Sequence, residues 1–341
     1  MKVLSLFDGM SCGRIALERA GIPVEVYYAS EIDKYAQIVS DRNYPDIIRL
    51  GSVENWKEWD IETPDLIIAG SPCQGLSIAG KRLGLDDPRS RLFYVFVDIL
   101  RHYQKINPNL KFLLENVNRM PKADKQIITE MLGVESIMIN SALLSAQNRE
   151  RLYWTNIEDV GYPCGKDIIL ADIIEDGYTD RQKSFCLDAN YAKGGNPKQY
   201  FEKGRRQLIL VGSAADSNSY KMDKSVYSVM GKSPAVRAEG KPGKISILQR
   251  PRGNNKGGER ALDGKTPAMS SSSWQDNNYL LLGRDYRKLT VKECERLQTI
   301  PDDYTLVMEN EKQKVSNSQR YKMIGNGWTV DVIAHIFSYL T

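Results

Sequence analysis

The sequence predicts an α/β fold: a mostly parallel sheet covered by helices on both faces, followed by a small β-rich unit. Three observations carry that prediction. Short apolar, β-prone runs alternate with helix-spaced segments through about residue 155, the pattern of buried strands joined by crossover helices. From about 175 to 285 the texture changes to Gly, Ser, Asn, Lys and Arg, with brief β-prone islands. Helical periodicity returns after 286.

The elements follow in order. VLSLF (3–7) is a first strand and GRIALERAG (13–21) a helix stopped by glycine. VEVYYAS (24–30) is a second strand, and IDKYAQIVSDRNYP (32–45) a helix closed by Pro45. DLIIAGSP (65–72) is a strand, RLFYVFVDILRHYQKI (91–106) a helix and KFLLENV (111–117) a strand, before a further helix and the strand VESIMIN (134–140). The islands QLILVGS, SVYSV, KISIL and NYLLL supply the small β-rich unit, in which GKSPAV (231–236) and GKTPAM (264–269) read as similar turn–strand units. In RKLTVKECERLQTIP (287–301), Thr290 and Glu293 have capping-box spacing. NGWTVDVIAHIFSYL (326–340) is an amphipathic helix suited to packing back on the first sheet.

Composition removes several function classes. The five cysteines (Cys12, Cys73, Cys164, Cys186, Cys294) are odd in number, scattered and without a CxxC pair, which argues against a disulfide scaffold and a structural zinc site. The two histidines, His102 and His335, fall in helical segments and read as structural. No apolar run approaches the roughly 18 residues of a membrane span, and the apolar start is too short for a signal peptide, so an intracellular protein is expected. The net charge of +4 hides an asymmetry: Arg181 to Lys265 holds 18 Lys and Arg against 7 Asp and Glu, a local excess of +11. Such a stretch is either a solvated linker or a polyanion-binding surface.

Four constellations carry chemistry. LFDGMSCG places Gly9 and Gly13 in a strand–turn–helix, with Glu31 ending the next strand where a carboxylate can accept from ribose hydroxyls. The turn lacks the GxGxxG cradle of a pyrophosphate, so a nucleoside without phosphates suits it better than a dinucleotide. IIAGSPCQGLS delivers Cys73 at the carboxyl end of a buried strand, where open parallel sheets bind ligands. LLENV brings Glu115 out at the same edge. AQNRERLYW sets Gln147, Arg149 and Arg151 on one face of an extended segment, where neighbouring arginines repel unless anions oppose them. Taken singly, each has a bland reading as turn glycine, buried small hydrophobe or solvent-facing strand edge.

Together, in this order, they resemble the DNA (cytosine-5) methyltransferases from end to end. FDGMSCG is similar to the family's first motif and SEID to its second. GSPCQGLS resembles the Pro-Cys-Gln nucleophile motif, ENV the Glu motif, QNRER the Gln-x-Arg-x-Arg motif, RKLTVKECERLQTIP the late helix motif and IGNGWTVDVI the closing Gly-Asn motif. The opening and its position look like the bacterial or phage branch. The resemblance implies a Rossmann-like methyltransferase domain over residues 1–174, a β-rich target-recognition domain over 175–285, and a return segment over 286–341 completing the first.

It also implies a chemistry. S-adenosylmethionine would be held by Phe7, Gly9, Glu31, Ile32, Ser52, Val53, Pro72 and Asn326. Cys73 would be the nucleophile, Glu115 and Arg151 would hold the cytosine ring, and Arg149 would brace the site or a phosphate. The loop 74–91 resembles a lid, with Gln74, Ser77 and Gln147 as contacts to double-stranded DNA. Ser52 stands where the family usually has Asp, which implies an uncharged acceptor and weaker adenine binding. A monomer in the cytoplasm of a bacterial or phage-infected cell is expected, with no membrane partner and a restriction endonuclease as a candidate companion. The competing readings are an RNA cytosine-5 methyltransferase on the same motifs, a catalytically silent DNA-binding relative, and a nicotinamide-dependent oxidoreductase. The last is disfavoured by the missing glycine pattern.

Overall fold

The computed structural model describes residues 1–71, 91–177, 179–195, 197–211, 226–227, 245–249, 258–261, 278–282 and 286–340. Its centre is a seven-stranded sheet. β1 (Lys2–Leu6), β2 (Val26–Ser30), β3 (Ile48–Arg49), β4 (Leu66–Ala69) and β5 (Lys111–Val117) run parallel, while β7 (Glu150–Thr155) is antiparallel to both β5 and β6 (Ser136–Asn140). The strand order is β3-β2-β1-β4-β5-β7-β6. The chain therefore steps outward to β3, then restarts at β4 on the other side of β1. That reversal opens a crevice at the carboxyl ends of β1 and β4.

The apolar strand runs are continuous because both faces are covered. Side chains alternate between faces at period two, so Val3, Ile68 and Leu113 enter one core while Leu4, Ile67, Phe112 and Leu114 enter the other. The second core is roofed by α3 (Arg91–Ile106) through Phe93, Phe96, Val97 and Leu100 and by α4 (Lys122–Leu132) through Ile128. The first is roofed by α1 (Cys12–Arg19) through Ile15, Ala16 and Leu17. α2 (Lys34–Asn43), capped by Asp33 accepting from Tyr35 N at 3.0 Å, adds Val39 to the same core.

The late part of the chain returns to this first face. α5 (Leu170–Ile173), α7 (Val291–Leu297), α8 (Asn317–Asn326) and α9 (Val330–Phe337) all contribute to it, and α9 packs beside α1. The expected capping box is present: Thr290 Oγ1 accepts from Glu293 N at 3.1 Å and a Glu293 carboxylate oxygen accepts from Thr290 N at 2.8 Å. β14 (Met308–Glu309) and β15 (Lys312–Gln313) form a small hairpin between α7 and α8. Among the described residues no helix is long and apolar enough to cross a membrane.

The expected β-rich unit shows as a separate antiparallel sheet of β9 (Val226–Tyr227), β10 (Ile245–Gln249), β11 (Gly258–Ala261) and β12 (Asn278–Leu282). The GKSPAV and GKTPAM segments lie outside the described residues. The stretch from 179 to 211, grouped with that unit by composition, behaves differently. Leu187, Tyr191 and Ile209 are buried in the first core. α6 (Pro197–Lys203) follows, and β8 (Leu208–Leu210) pairs with β13 (Tyr286–Lys288). Ile209 belongs to the apolar island QLILVGS, whereas Leu187 and Tyr191 stand among irregularly mixed polar and apolar residues, so no periodicity announces their burial.

The joint between this stretch and α8 depends on one missing side chain. A Cβ on Gly325 would sit 2.4 Å from the Asp188 carbonyl oxygen and 2.7 Å from Ala189 N, backbone atoms that cannot rotate away. Gly325→Ala is therefore expected to cost about 2–3 kcal/mol of stability, read as a lower urea midpoint at unchanged slope.

Candidate active site

At the carboxyl edge of the sheet, the turn after β1 is built from alternating left-handed residues: Phe7 (φ 56°), Gly9 (φ 61°) and Ser11 (φ 63°). A left-handed conformation is costly for a non-glycine residue unless its surroundings hold it, and here Asp8 does the holding. Its enclosed carboxylate accepts from Ser11 Oγ at 2.5 Å and Tyr27 OH at 2.9 Å, with Arg49 at 3.6 Å. Burial raises the Asp8 carboxyl above its ordinary pKa, while Ser11, Ser5, Tyr27 and Arg49 oppose that shift.

The turn is tied to the end of β2 through Glu31. One Glu31 oxygen accepts from Gly9 N at 2.8 Å, and the other accepts from Ile32 N and Asp33 N, both at 2.7 Å. Three backbone donors thus fix the carboxylate, and an ionised carboxylate retains further acceptor capacity. Ile32 beside it is 77% exposed, an apolar side chain with one face open. Ser52 caps the short helical turn 53–58 by accepting from Glu54 N at 3.3 Å, and Val53 is buried beneath it. Phe7 is half-buried, and Asn326 ends α8 exposed.

Trp328, absent from the sequence-based assignment, closes the floor of this region. A Cβ on Gly70 would fall 2.9 Å from the Trp328 indole nitrogen, whereas one on Gly13 would meet Ile68 Cδ1 at 2.3 Å, with the Trp328 ring at contact distance, 3.5 Å. Lone tryptophans carry no sequence signal for such a role; the glycines at the ends of β4 and the first turn were the available clue.

The second cluster forms across β5 and β7. Val117 pairs with Arg151 and Glu115 with Tyr153, so Glu115 and Arg151 are diagonal neighbours on one face. Arg151 Nε lies 2.9 Å from a Glu115 carboxylate oxygen, with the two side chains only 14% and 11% exposed. Arg151 also donates from Nη1 to the Glu150 carbonyl at 2.8 Å and from Nη2 to Cys186 Sγ at 4.0 Å. Glu115 is therefore the anion opposite the arginine pair. Arg149, 2% exposed, turns inward instead: Nη1 donates to the carbonyls of Leu187 (3.2 Å) and Gly325 (3.4 Å), and Nη2 to that of Gly327 (2.8 Å). It braces three chain segments and is not placed to meet a phosphate.

Gln147 is the residue whose surroundings correct the expectation. It is completely buried; its amide nitrogen donates to the Leu297 carbonyl and Gln298 Oε1 at 3.3 Å, and its oxygen accepts from Leu187 N at 2.7 Å. With both ends of the amide engaged inside the protein, it has nothing to offer DNA. Pro72, Cys73, Gln74 and Ser77, with the expected lid over 74–90, lie outside the described residues. The histidines hold structural positions: His335 Nε2 is 2.8 Å from the Gly161 carbonyl oxygen, and His102 packs edge-on against Trp56 and Tyr103.

Comparison with known proteins covers the whole chain. The family model for C-5 cytosine-specific DNA methylases matches residues 1–341. The Type II methyltransferase M.HhaI of Haemophilus parahaemolyticus is 27% identical over 98% of this chain and 93% of its own. The orphan methyltransferase M.SPRI of Bacillus phage SPR is 25% identical over 100% of this chain and 97% of its own. Among solved structures, a DNMT2 variant from Spodoptera frugiperda superposes with a TM-score of 0.56 at 16% identity, covering 99% of both chains; at that identity the likeness speaks for the fold alone.

Two measurements check the site as described. Gln147→Ala is expected to lower stability by about 2 kcal/mol, because it strands buried partners, read as a lower urea midpoint at unchanged denaturant slope. Burial pushes the Cys12 thiol up to about 12 and Cys294 well above its ordinary value, whereas Cys164 is exposed. Since the thiolate is the reactive form, iodoacetamide at pH 8 should modify Cys164 at least about 100-fold faster than Cys12 or Cys294, as read by peptide mass mapping.

Proposed function

Because the chain belongs to the C-5 cytosine-specific DNA methylase family, we propose that it methylates C5 of a flipped-out cytosine in a specific duplex DNA sequence through a covalent bond from Cys73 to C6. The observation that carries the reading beyond family membership is the Arg151–Glu115 pair, 2.9 Å apart at the carboxyl edge of the sheet. It supplies a donor fork and a carboxyl group side by side, the complement of O2, N3 and the exocyclic amine, which lie in a row along one edge of the cytosine ring.

C5 of cytosine is a weak nucleophile. Addition of the Cys73 thiolate to C6 moves electron density onto C5 and turns the ring into an enamine, dividing one hard step into easier ones. Glu115 hydrogen-bonds N3 and the amine as negative charge would otherwise build up there, and Arg151 holds O2. After methyl transfer a base removes the C5 proton and the sulfur leaves, restoring aromaticity. Arg149 acts through others, fixing β7 and the return segment so that Arg151 meets the ring.

Methyltransferases of this family draw on S-adenosylmethionine, which supplies an electrophilic methyl group when bound. The described residues fit it. Glu31 is locked by three backbone donors with acceptor capacity left for a ribose diol, Gly9 has open space where a Cβ would stand, and Ile32 presents an uncovered apolar face. Ser52 offers a hydroxyl near the same edge for the adenine, and Phe7, Val53, Pro72 and Asn326 complete the proposed set.

A base stacked in a duplex is out of reach of these groups, so the target must be extruded at a cost of a few kcal/mol. The segment 175–285, with its +11 stretch, is assigned the phosphate contacts and base-edge readout that favour the right site.

Two experiments test this reading. With S-adenosylmethionine present, wild-type protein should become covalently attached to duplex DNA carrying 5-fluorocytosine, since fluorine cannot leave as a cation, while Cys73→Ser should not. Glu115→Gln should lower kcat by about 10²–10⁴ with cofactor affinity unchanged. Incorporation of labelled methyl into tRNA but not DNA would overturn the assignment of substrate.

A further inference from the structure

The ladder between β4 and β5 stops at the pair Ala69–Leu114, one residue before Glu115 on one chain and four before Cys73 on the other. Beyond it, one strand runs on through Gly70 and Ser71 toward Pro72 and Cys73, and the other carries Glu115 and Asn116. A single side-chain hydrogen bond continues the pairing: Asn116 Nδ2 donates to Ser71 Oγ at 3.2 Å. Both residues are buried, Ser71 at 5% and Asn116 at 1% exposure. The Asn116 amide has no freedom to wander, because its oxygen accepts from Val117 N at 2.8 Å. Its side chain lies on the face of β5 opposite to Glu115, by the alternation of the strand.

Buried polar groups at the end of a sheet are costly unless they are paired. Two apolar side chains would close this gap more cheaply, yet would fix no distance. A hydrogen bond between a locked amide and a hydroxyl does fix one, at the point where two chains leave the sheet for different roles. We propose that Ser71 and Asn116 are positioning residues, a clamp that sets the separation between the chain leading to Cys73 and the carboxyl group of Glu115. The inference rests on the reaction proposed above. Neither residue touches substrate; the pair acts through the strand ends, so its loss slows bond formation to the ring without altering cofactor binding.

Trapping on a random-sequence duplex pool with 5-fluorocytosine in place of cytosine tests this, with S-adenosylmethionine present and both rate and end-point recorded. The end-point counts competent molecules, and the rate reports how well the nucleophile and the carboxyl group are placed. Ser71→Ala and Asn116→Leu, which removes the amide at similar size without adding charge, should reach the wild-type end-point about tenfold more slowly. Calorimetry should give them cofactor affinity within about twofold of wild type, and Ser71→Thr, which keeps the hydroxyl, should recover most of the rate. An unchanged rate in both variants, or a reduced end-point at unchanged rate, overturns the clamp and leaves the reaction standing. Failure of the wild-type protein itself to trap removes the reaction, and the clamp with it.

Discussion

A buried guanidinium is what the catalytic body depends on. Arg149 follows the turn out of β6 and donates to carbonyls of Leu187, Gly325 and Gly327, which belong to stretches of chain about 40 and 180 residues further on. Charge-assisted hydrogen bonds of this kind are each worth about 1.5–3 kcal/mol, and an enclosed cation deprived of its acceptors would be far costlier than a surface one. β7, the segment around 187 and the loop after α8 therefore come together as a set. The neighbouring Arg151 is consequently presented to Glu115 in one fixed attitude, with Gln147 on the other side tying the segment around 187 to the end of α7 at Leu297 and Gln298.

The division of labour between the sheet's two faces follows from that arrangement. One face is closed early in the sequence, by α3 and α4. The other is closed by α1 together with helices drawn from the last fifty or so residues. The crevice at the carboxyl ends of β1 and β4 is bordered by both halves: the Phe7–Ser11 turn, Glu31 and Ser52 from the first, Asn326 and Trp328 from the second. Between the two halves in sequence lies the small antiparallel sheet of β9 to β12.

Much of this was legible in the residues. Strands buried on both faces read as apolar runs, and β1, β2, β4 and β5 announced themselves so. Thr290 and Glu293 marked a helix start that the structure shows as a reciprocal cap. Glu115 and Arg151 could be linked because each belongs to a motif; no spacing rule places residues 36 apart in contact, and only the antiparallel register of β5 and β7 does so. Gln147 misled for a physical reason: a polar side chain between charged neighbours looks solvent-facing, and only tertiary packing shows that it satisfies buried backbone. Leu187 and Tyr191 hid in a mixed stretch for the same reason. The Ser71–Asn116 pair was invisible, since two small polar residues 45 apart carry no period and no charge.

The position of α9 has a consequence for how the protein comes into being. It lies beside α1 in one core, though more than 300 residues separate them. During translation the part of the first face that α7, α8 and α9 cover stays open until those helices have been made. Contacts of such long range slow folding, and exposed apolar surface invites aggregation meanwhile. The nascent chain therefore has to keep that surface out of wrong contacts until α9 docks beside α1.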